Sequence, residues 1–195
     1  DIWISESLER ELSDIAPPIY FMDFETINPA VPRFKEMWPY AQLPFQWSVH
    51  RQLHPQSALE HFEYLADDQK DPRTPFLKSL CKALGTEGRI VTYNAAFEAS
   101  RLRELAKWLP EFREQIETIV NRLWDLFPFV RRHLYHPKFQ GSFSIKSVLP
   151  ALVPELSYRD LRVGNGEQAG LTWDLMIRSA PLDSERQELR QSLLA

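Results

Sequence analysis

The stretch Ile19-Tyr20-Phe21-Met22-Asp23-Phe24-Glu25-Thr26 is a short, almost unbroken apolar run that ends in two acids. Runs of this length and composition form central strands buried on both faces. Pro17-Pro18, immediately before it, closes off any preceding helix. Side chains alternate along a strand, so Asp23 and Glu25 project from the same face. Buried Phe21 and Phe24 are expected to hold the backbone rigid beneath them. Two carboxylates held side by side repel, and the arrangement persists when a cation or a proton neutralises it. Hard oxygen donors at one strand end suit Mg2+ or Mn2+. An Asp-x-Glu triplet taken alone is more often a solvated strand end than a site.

Further along, Ile90-Val91-Thr92-Tyr93-Asn94-Ala95-Ala96-Phe97-Glu98 repeats the theme of a short strand that runs into an acid. Asn94 can cap the following helix or tie down the loop. Small Ala95 and Ala96 permit a close turn, and Phe97 is expected to anchor it in the core. Glu98 falls in the first helical turn, facing the edge where Asp23 and Glu25 end. An acid near a helix N-terminus is favourable for the helix alone, but two acid-ended strands side by side describe a site.

The remaining elements follow from local signals. Residues 5–14 form a short helical lead-in, with Ser5 as cap and Leu8, Leu12 and Ile15 on one face. Pro29, Pro32, Pro39 and Pro44 make residues 28–44 an irregular loop. Phe45–Leu53 and Leu59–Leu65 flank His54-Pro55-Gln56-Ser57 as an antiparallel hairpin. Pro72 and Pro75 open a helix that Gly85 ends. Arg89–Tyr93 is a second short buried strand, Phe97–Trp108 a helix, and Pro110 starts another helix to about Leu123. Trp124–His133 fits strand or helix. Ser144–Leu152 reads as a helix broken at Pro150 and Pro154, and Gly164, Gly166 and Gly170 read as a loose loop before helices near 171–178 and 184–195. The order, strands and a hairpin followed by alternating helix and strand, is that of an α/β domain with a mixed sheet.

Composition limits the function. With 44% hydrophobic residues, the 195-residue chain can build a core as a single domain. The formal charge of −4 argues against passive attraction to nucleic acid, though bound cations reverse a local field. Cys81 is the sole cysteine, which excludes an internal disulfide and fits a reducing cytoplasm. No run is apolar enough to span a membrane, and no Gly-rich Lys-Ser/Thr loop points to ATP-driven work. The chain starts at Asp1 and stops inside a helical pattern at Ser192-Leu193-Leu194-Ala195, so it is expected to be a fragment.

Phe21-Met22-Asp23-Phe24-Glu25-Thr26 resembles the first motif of the DnaQ-like, or DEDD, 3′–5′ exonuclease superfamily. Tyr93-Asn94-Ala95-Ala96-Phe97-Glu98 resembles its second, which usually reads Asn-x-x-Phe-Asp. More narrowly, with Pro44-Phe45-Gln46-Trp47-Ser48, Val130-Arg131-Arg132-His133 and Gly141-Ser142-Phe143-Ser144-Ile145-Lys146, the chain resembles an uncharacterised bacterial family in which this module follows a RecB-like nuclease domain. The resemblance covers about Ile19 to Val163. It implies a ribonuclease H-like mixed sheet and hydrolysis of DNA or RNA single strands with two Mg2+ or Mn2+ ions held by Asp23, Glu25 and Glu98. Glu98 departs from the usual Asp by one methylene. The third motif is not recognisable, with Asp160 and Asp174 as in-chain candidates and a position just beyond Ala195 preferred.

Other polar residues are candidates for substrate contact. Thr26 can hydrogen-bond a terminal nucleotide, and Asn94 borders the same strand end. Tyr93 and Phe97 can stack on bases, although core packing is the commoner role for such rings. Arg131, Arg132, Lys138 and Lys146, with Tyr135 and Phe139 among them, form the one concentrated basic stretch; it suits either phosphate contact or a solvated surface. Asp125 is a supporting acid from a neighbouring strand. His133 and His136 lack a motif, and His50, His54 and His61 are not spaced as a zinc site. The competing reading is a catalytically degenerate domain of the same fold that binds nucleic acid or docks a partner.

Overall fold

The computed structural model describes residues 1–156, 162–179 and 182–194. Its centre is β2 (Ile19–Ile27), which pairs antiparallel with β3 (Leu43–Gln52) on one side and parallel with β5 (Arg89–Thr92) on the other. β4 (Glu60–Leu65) and β6 (Leu123–Asp125) form the two edges, giving a five-stranded mixed sheet in the order β4-β3-β2-β5-β6. The hairpin arises as the alternating pattern predicts, and the parallel strands are joined through helices, as parallel pairs require. Pro72 sits at the N-cap of α2 (Arg73–Leu84), and Gly85 ends that helix at φ 54°. No helix among the described residues is long and apolar enough to cross a membrane.

One face of the sheet carries Tyr20, Met22, Phe24, Trp47, Val49 and Ile90, packed under α2, α3 (Ala95–Trp108) and α4 (Arg113–Arg122). The other face carries Phe21, Asp23, Glu25 and Ile27. At its Ile27 end it is covered by α7 (Gly166–Arg178) and α8 (Asp183–Leu194), whose Trp173, Met176, Leu189 and Leu193 pack with Leu43 and Phe45. Glu25 pairs with Gln46 and Thr26 with Pro44, leaving Phe45 as the extra residue of a β-bulge. The bulge turns the Phe45 ring onto Trp173, stacked at 4.7 Å and 16°.

This arrangement corrects the expectation for Phe21. It is 41% exposed, whereas Phe24 is buried, because Phe21 shares the Asp23 face at a level that α7 and α8 do not reach. Gly166 and Gly170 also lie within α7 rather than in a loop. The reason is tertiary: a Cβ on Gly170 would stand 2.8 Å from Ile27 Cγ2, so the missing side chain lets α7 lie against β2. Gly170→Val is therefore expected to lower stability by about 1–3 kcal/mol through overpacking, read from thermal or urea denaturation.

Three smaller differences are local. Trp124–His133 is both elements at once, since β6 ends at Asp125 and α5 (Leu126–His133) begins there. Pro150 does not break α6 (Ile145–Leu152), because it forfeits one helical hydrogen bond while Val148 and Ala151 keep that helix packed. The lead-in helix is only α1 (Leu8–Ser13), preceded by β1 (Trp3–Ile4), which pairs antiparallel with β7 (Leu134–Tyr135). Ser7, not Ser5, stands at the N-cap of α1, and Leu12 is exposed.

Candidate functional site

Asp23 and Glu25 stand near the C-terminal end of β2, and the turn from β5 into α3 brings Glu98 within the electrostatic reach of Asp23, while Glu98 borders neither cavity at Glu25. Asp23 keeps access to solvent, yet it stands in a concavity whose walls displace water. That desolvation raises its carboxyl, opposed by the Phe24 N–H, which donates to Oδ1 at 2.9 Å. Glu25 is half-buried and is pushed up to about 7, first by desolvation and then by the charge of Asp23, with Lys146 acting the other way. Glu98 is only 3% exposed. Its carboxyl is pushed up to about 8, chiefly by desolvation, with the charges of Asp23 and Asp125 adding and its own backbone N–H opposing. Its Oε2 is buried without a hydrogen-bond partner.

The turn that presents Glu98 is held from β6. Asp125 Oδ1 accepts the Asn94 N–H at 3.0 Å and the Phe127 N–H at 3.0 Å, so one carboxylate caps α5 and fixes the start of α3. Asn94 makes no side-chain cap. It adopts φ 82°, a left-handed conformation in which Asn is enriched, and this explains the residue. Phe97 is not a core anchor: it is half-buried, lines the cleft, and has the Arg101 guanidinium 5.4 Å from its ring centre. Tyr93 packs with the cluster around Phe139 and donates to the Phe143 carbonyl at 2.5 Å.

Two cavities meet at Glu25. A cleft of about 750 Å3 lies between the 28–42 loop and α7, bordered by Thr26, Arg33, Gln42, Phe97, Gly166 and Asp174 among others. A recess of about 310 Å3 holds Asp23 and Glu25 with Gln46, Ser48, Lys146 and Leu193. Thr26 donates its hydroxyl to Gln42 Oε1 at 2.6 Å. Lys146 reaches the recess and donates to the Gly164 carbonyl. Gly166 leaves room for Glu25, since a Cβ there would stand 3.2 Å from Oε2.

Arg132 is not at this site. It pairs with Glu11 at 3.1 Å and shares a recess with Arg89, which is in register with Ile19 at the opposite end of β2 from the acids. Arg131 is exposed on α5 and borders neither cavity at Glu25. His133 is buried against Glu11, and His136 accepts the Lys138 N–H. Asp174 borders the larger cleft, but it faces Arg33 at 2.7 Å and is neutralised there. Asp160 lies outside the described residues.

Gln46 and Ser48 were missed, although strand register puts them opposite Glu25 and Asp23. Gln46 is buried and donates from Nε2 to the Leu193 carbonyl at 2.6 Å. Asp23 and Glu25 give the recess carboxylate oxygens, the kind a hard cation prefers, with the Lys146 ammonium also on its wall. The acids are coupled as Glu25 with Asp23 and Glu98 with Asp23 and Asp125. Among the described residues, no group of three or more His, Cys, Asp or Glu side chains is gathered so as to hold a metal ion.

The chain is similar to Uncharacterized protein UU173 of Ureaplasma parvum, 28% identical over 171 residues, covering 76% of this chain and 24% of that protein. It is also 28% identical over 170 residues to Uncharacterized protein MG366 homolog of Mycoplasma pneumoniae, covering 77% of this chain and 25% of that protein. The chain thus spans about a quarter of the length of the curated relatives it matches. No solved structure matches it. Residues 20–144, which contain β2, the hairpin, the Glu98 turn and Asp125, match one family profile, and the chain belongs to that family, Domain of unknown function (DUF2779).

Proposed function

We propose that the domain has a ribonuclease H-like sheet and performs metal-dependent 3′–5′ hydrolysis of single-stranded DNA or RNA, with Asp23, Glu25 and Glu98 as its acidic centre. The observation that carries this reading is Glu98. A buried carboxyl with an unpartnered oxygen, desolvated and within the field of Asp23 and Asp125, is an expensive arrangement for a purely structural role. Sites with paired charges and raised carboxyl pKa values cluster where chemistry is done. The order of three antiparallel strands followed by two parallel strands supports the fold, and the two motifs support the reaction.

Asp23, Glu25 and Glu98 would hold Mg2+ or Mn2+ once drawn closer than they stand here; their carboxylates and the unpartnered Oε2 of Glu98 are the hard oxygen donors such ions take. The chemistry that these ions supply when bound is polarisation of the phosphodiester and a lowered pKa for the attacking water. The protein's own share is to fix three carboxylates on rigid elements and to receive the strand end in the cleft of about 750 Å3. Phe97 and Thr26 line that cleft and orient the terminal nucleotide, and Lys146 moderates the negative field at Glu25. Other domains of the longer protein, including a RecB-like nuclease domain, are proposed as neighbours on the strength of the resemblance and of the relatives' length.

The test is Mn2+-dependent release of nucleotides from end-labelled single-stranded DNA and RNA by the full-length protein, with EDTA and Asp23→Ala as controls. Loss of label with Mn2+ in the wild type alone is expected. Equal behaviour of wild type and variant would favour the degenerate binding or docking domain, a reading that the lack of a gathered three-ligand cluster among the described residues also favours. Arg132→Ala, at the far end of the sheet, is expected to keep the hydrolysis rate within about twofold of wild type.

A further inference from the structure

The open part of the sheet carries a second feature, one step back from the acids along β2. Phe21 pairs across the strand with His50, and His50 pairs with His61 on the edge strand β4. The two imidazoles stack at 4.4 Å with planes 13° apart. Phe21 is 41% exposed although it lies within the central strand β2, and both His residues are exposed. Phe21 is two residues from Asp23, a spacing of about 6.6 Å on the same face. Large aromatic surface left open on a sheet, flush with a candidate site, is a feature that binding explains and that packing among the described residues does not.

We propose that Phe21, His50 and His61 form a stacking platform for the bases of single-stranded nucleic acid whose end lies at Asp23 and Glu25. This rests on the acidic site being a nucleic-acid site. Every base has a π-face, so such a row takes single strands with little regard to sequence. The row is flanked by Asp23 and by Glu63, whose carboxylate stands 4.0 Å from His61, so phosphates are disfavoured directly on it. The bases therefore face the sheet and the backbone runs outward. His61 is steadied by Ser48, whose hydroxyl lies 3.1 Å from Nε2, and Ser48 is the cross-strand partner of Asp23. Burial and the charge of His61 lower the pKa of His50, which favours a neutral ring for stacking.

The experiment uses the full-length protein in EDTA and a fluorescein-labelled 15-nucleotide oligothymidylate. Affinity is expected to fall about tenfold or more in Phe21→Ala and in His50→Ala/His61→Ala, and to be kept in His50→Phe/His61→Phe, which preserves the stack. Diethyl pyrocarbonate should modify His50 and His61 in the free protein, and the oligonucleotide should protect them. Unreactive His50 and His61 in the free protein would mean that protein covers this face, and would overturn the proposal. So would unchanged affinity in the alanine variants. Ring-dependent binding without Mn2+-dependent nucleotide release would leave the platform standing and remove the hydrolytic reading. Release of nucleotides with ring-independent binding would do the reverse.

Discussion

Asp23→Asn is expected to lower Mn2+-dependent nucleotide release by roughly 10³-fold or more, while the metal-free protein stays as stable as the wild type or becomes more stable. Asp23 is the acid whose charge is felt by both Glu25 and Glu98. Replacing it with a neutral amide of the same shape removes a ligand and the largest shared repulsion together. Its side chain still accepts the Phe24 N–H, so the strand end keeps its local hydrogen bond. Nucleotide release measured beside thermal denaturation in EDTA separates the two effects. A variant that loses activity because it unfolds would show a lowered Tm. Mn2+ should also raise the Tm of the wild type and have a weaker effect on Asp23→Asn, because a cation that binds only the folded state stabilises it.

Glu98→Gln is expected to produce the larger change in stability, with a sign that depends on pH. The ordinary Glu value is 4.5, and the folded protein moves Glu98 to about 8. Between those values the folded state keeps a proton that the unfolded chain has released. This group's contribution is therefore fully present below pH 4.5, declines as pH rises toward 8, and is lost above it. Such a shift corresponds to at most about 5 kcal/mol. Gln carries no charge and does not suffer the decline. At pH 5 the two proteins should melt within a few degrees of each other. At pH 8.5 in EDTA, Glu98→Gln should melt about 5–10 °C higher. Equal melting temperatures at both pH values would show that neither desolvation nor the charges of Asp23 and Asp125 raise the Glu98 carboxyl.

The elements that are set by local chemistry could be read directly from the chain. Pro72 and Gly85 bound α2, alternation defines the hairpin, and the Asn94 turn leads into α3. The placement of Asp23 and Glu25 on one strand and of Glu98 in the first turn of the next helix was legible for the same reason, since each belongs to a short local pattern. What escaped was set by contacts between distant segments. Phe21 looked buried because an apolar run does not say which part of a sheet its helices will cover. Gly170 looked like a loop residue because its partner, Ile27, lies across the fold. Arg132 belonged to a basic stretch in sequence, but Glu11 holds it at the far end of the sheet. The burial of Glu98, and with it the electrostatics of the site, likewise depends on how α3 packs.

The hydrogen bond from Gln46 to the Leu193 carbonyl links the site to the end of α8. Gln46 pairs with Glu25 on the sheet, and Ser192 and Leu193 form part of the same recess. A chain shortened before Leu193 would therefore lose more than a helical turn. It would free a buried amide next to the central acids and admit water to their recess. The carboxyl of Glu25 would then move back toward its ordinary value. Trimming the C-terminal helix would thus act as a remote adjustment of the proton affinity of the site, through a contact that spans most of the sequence.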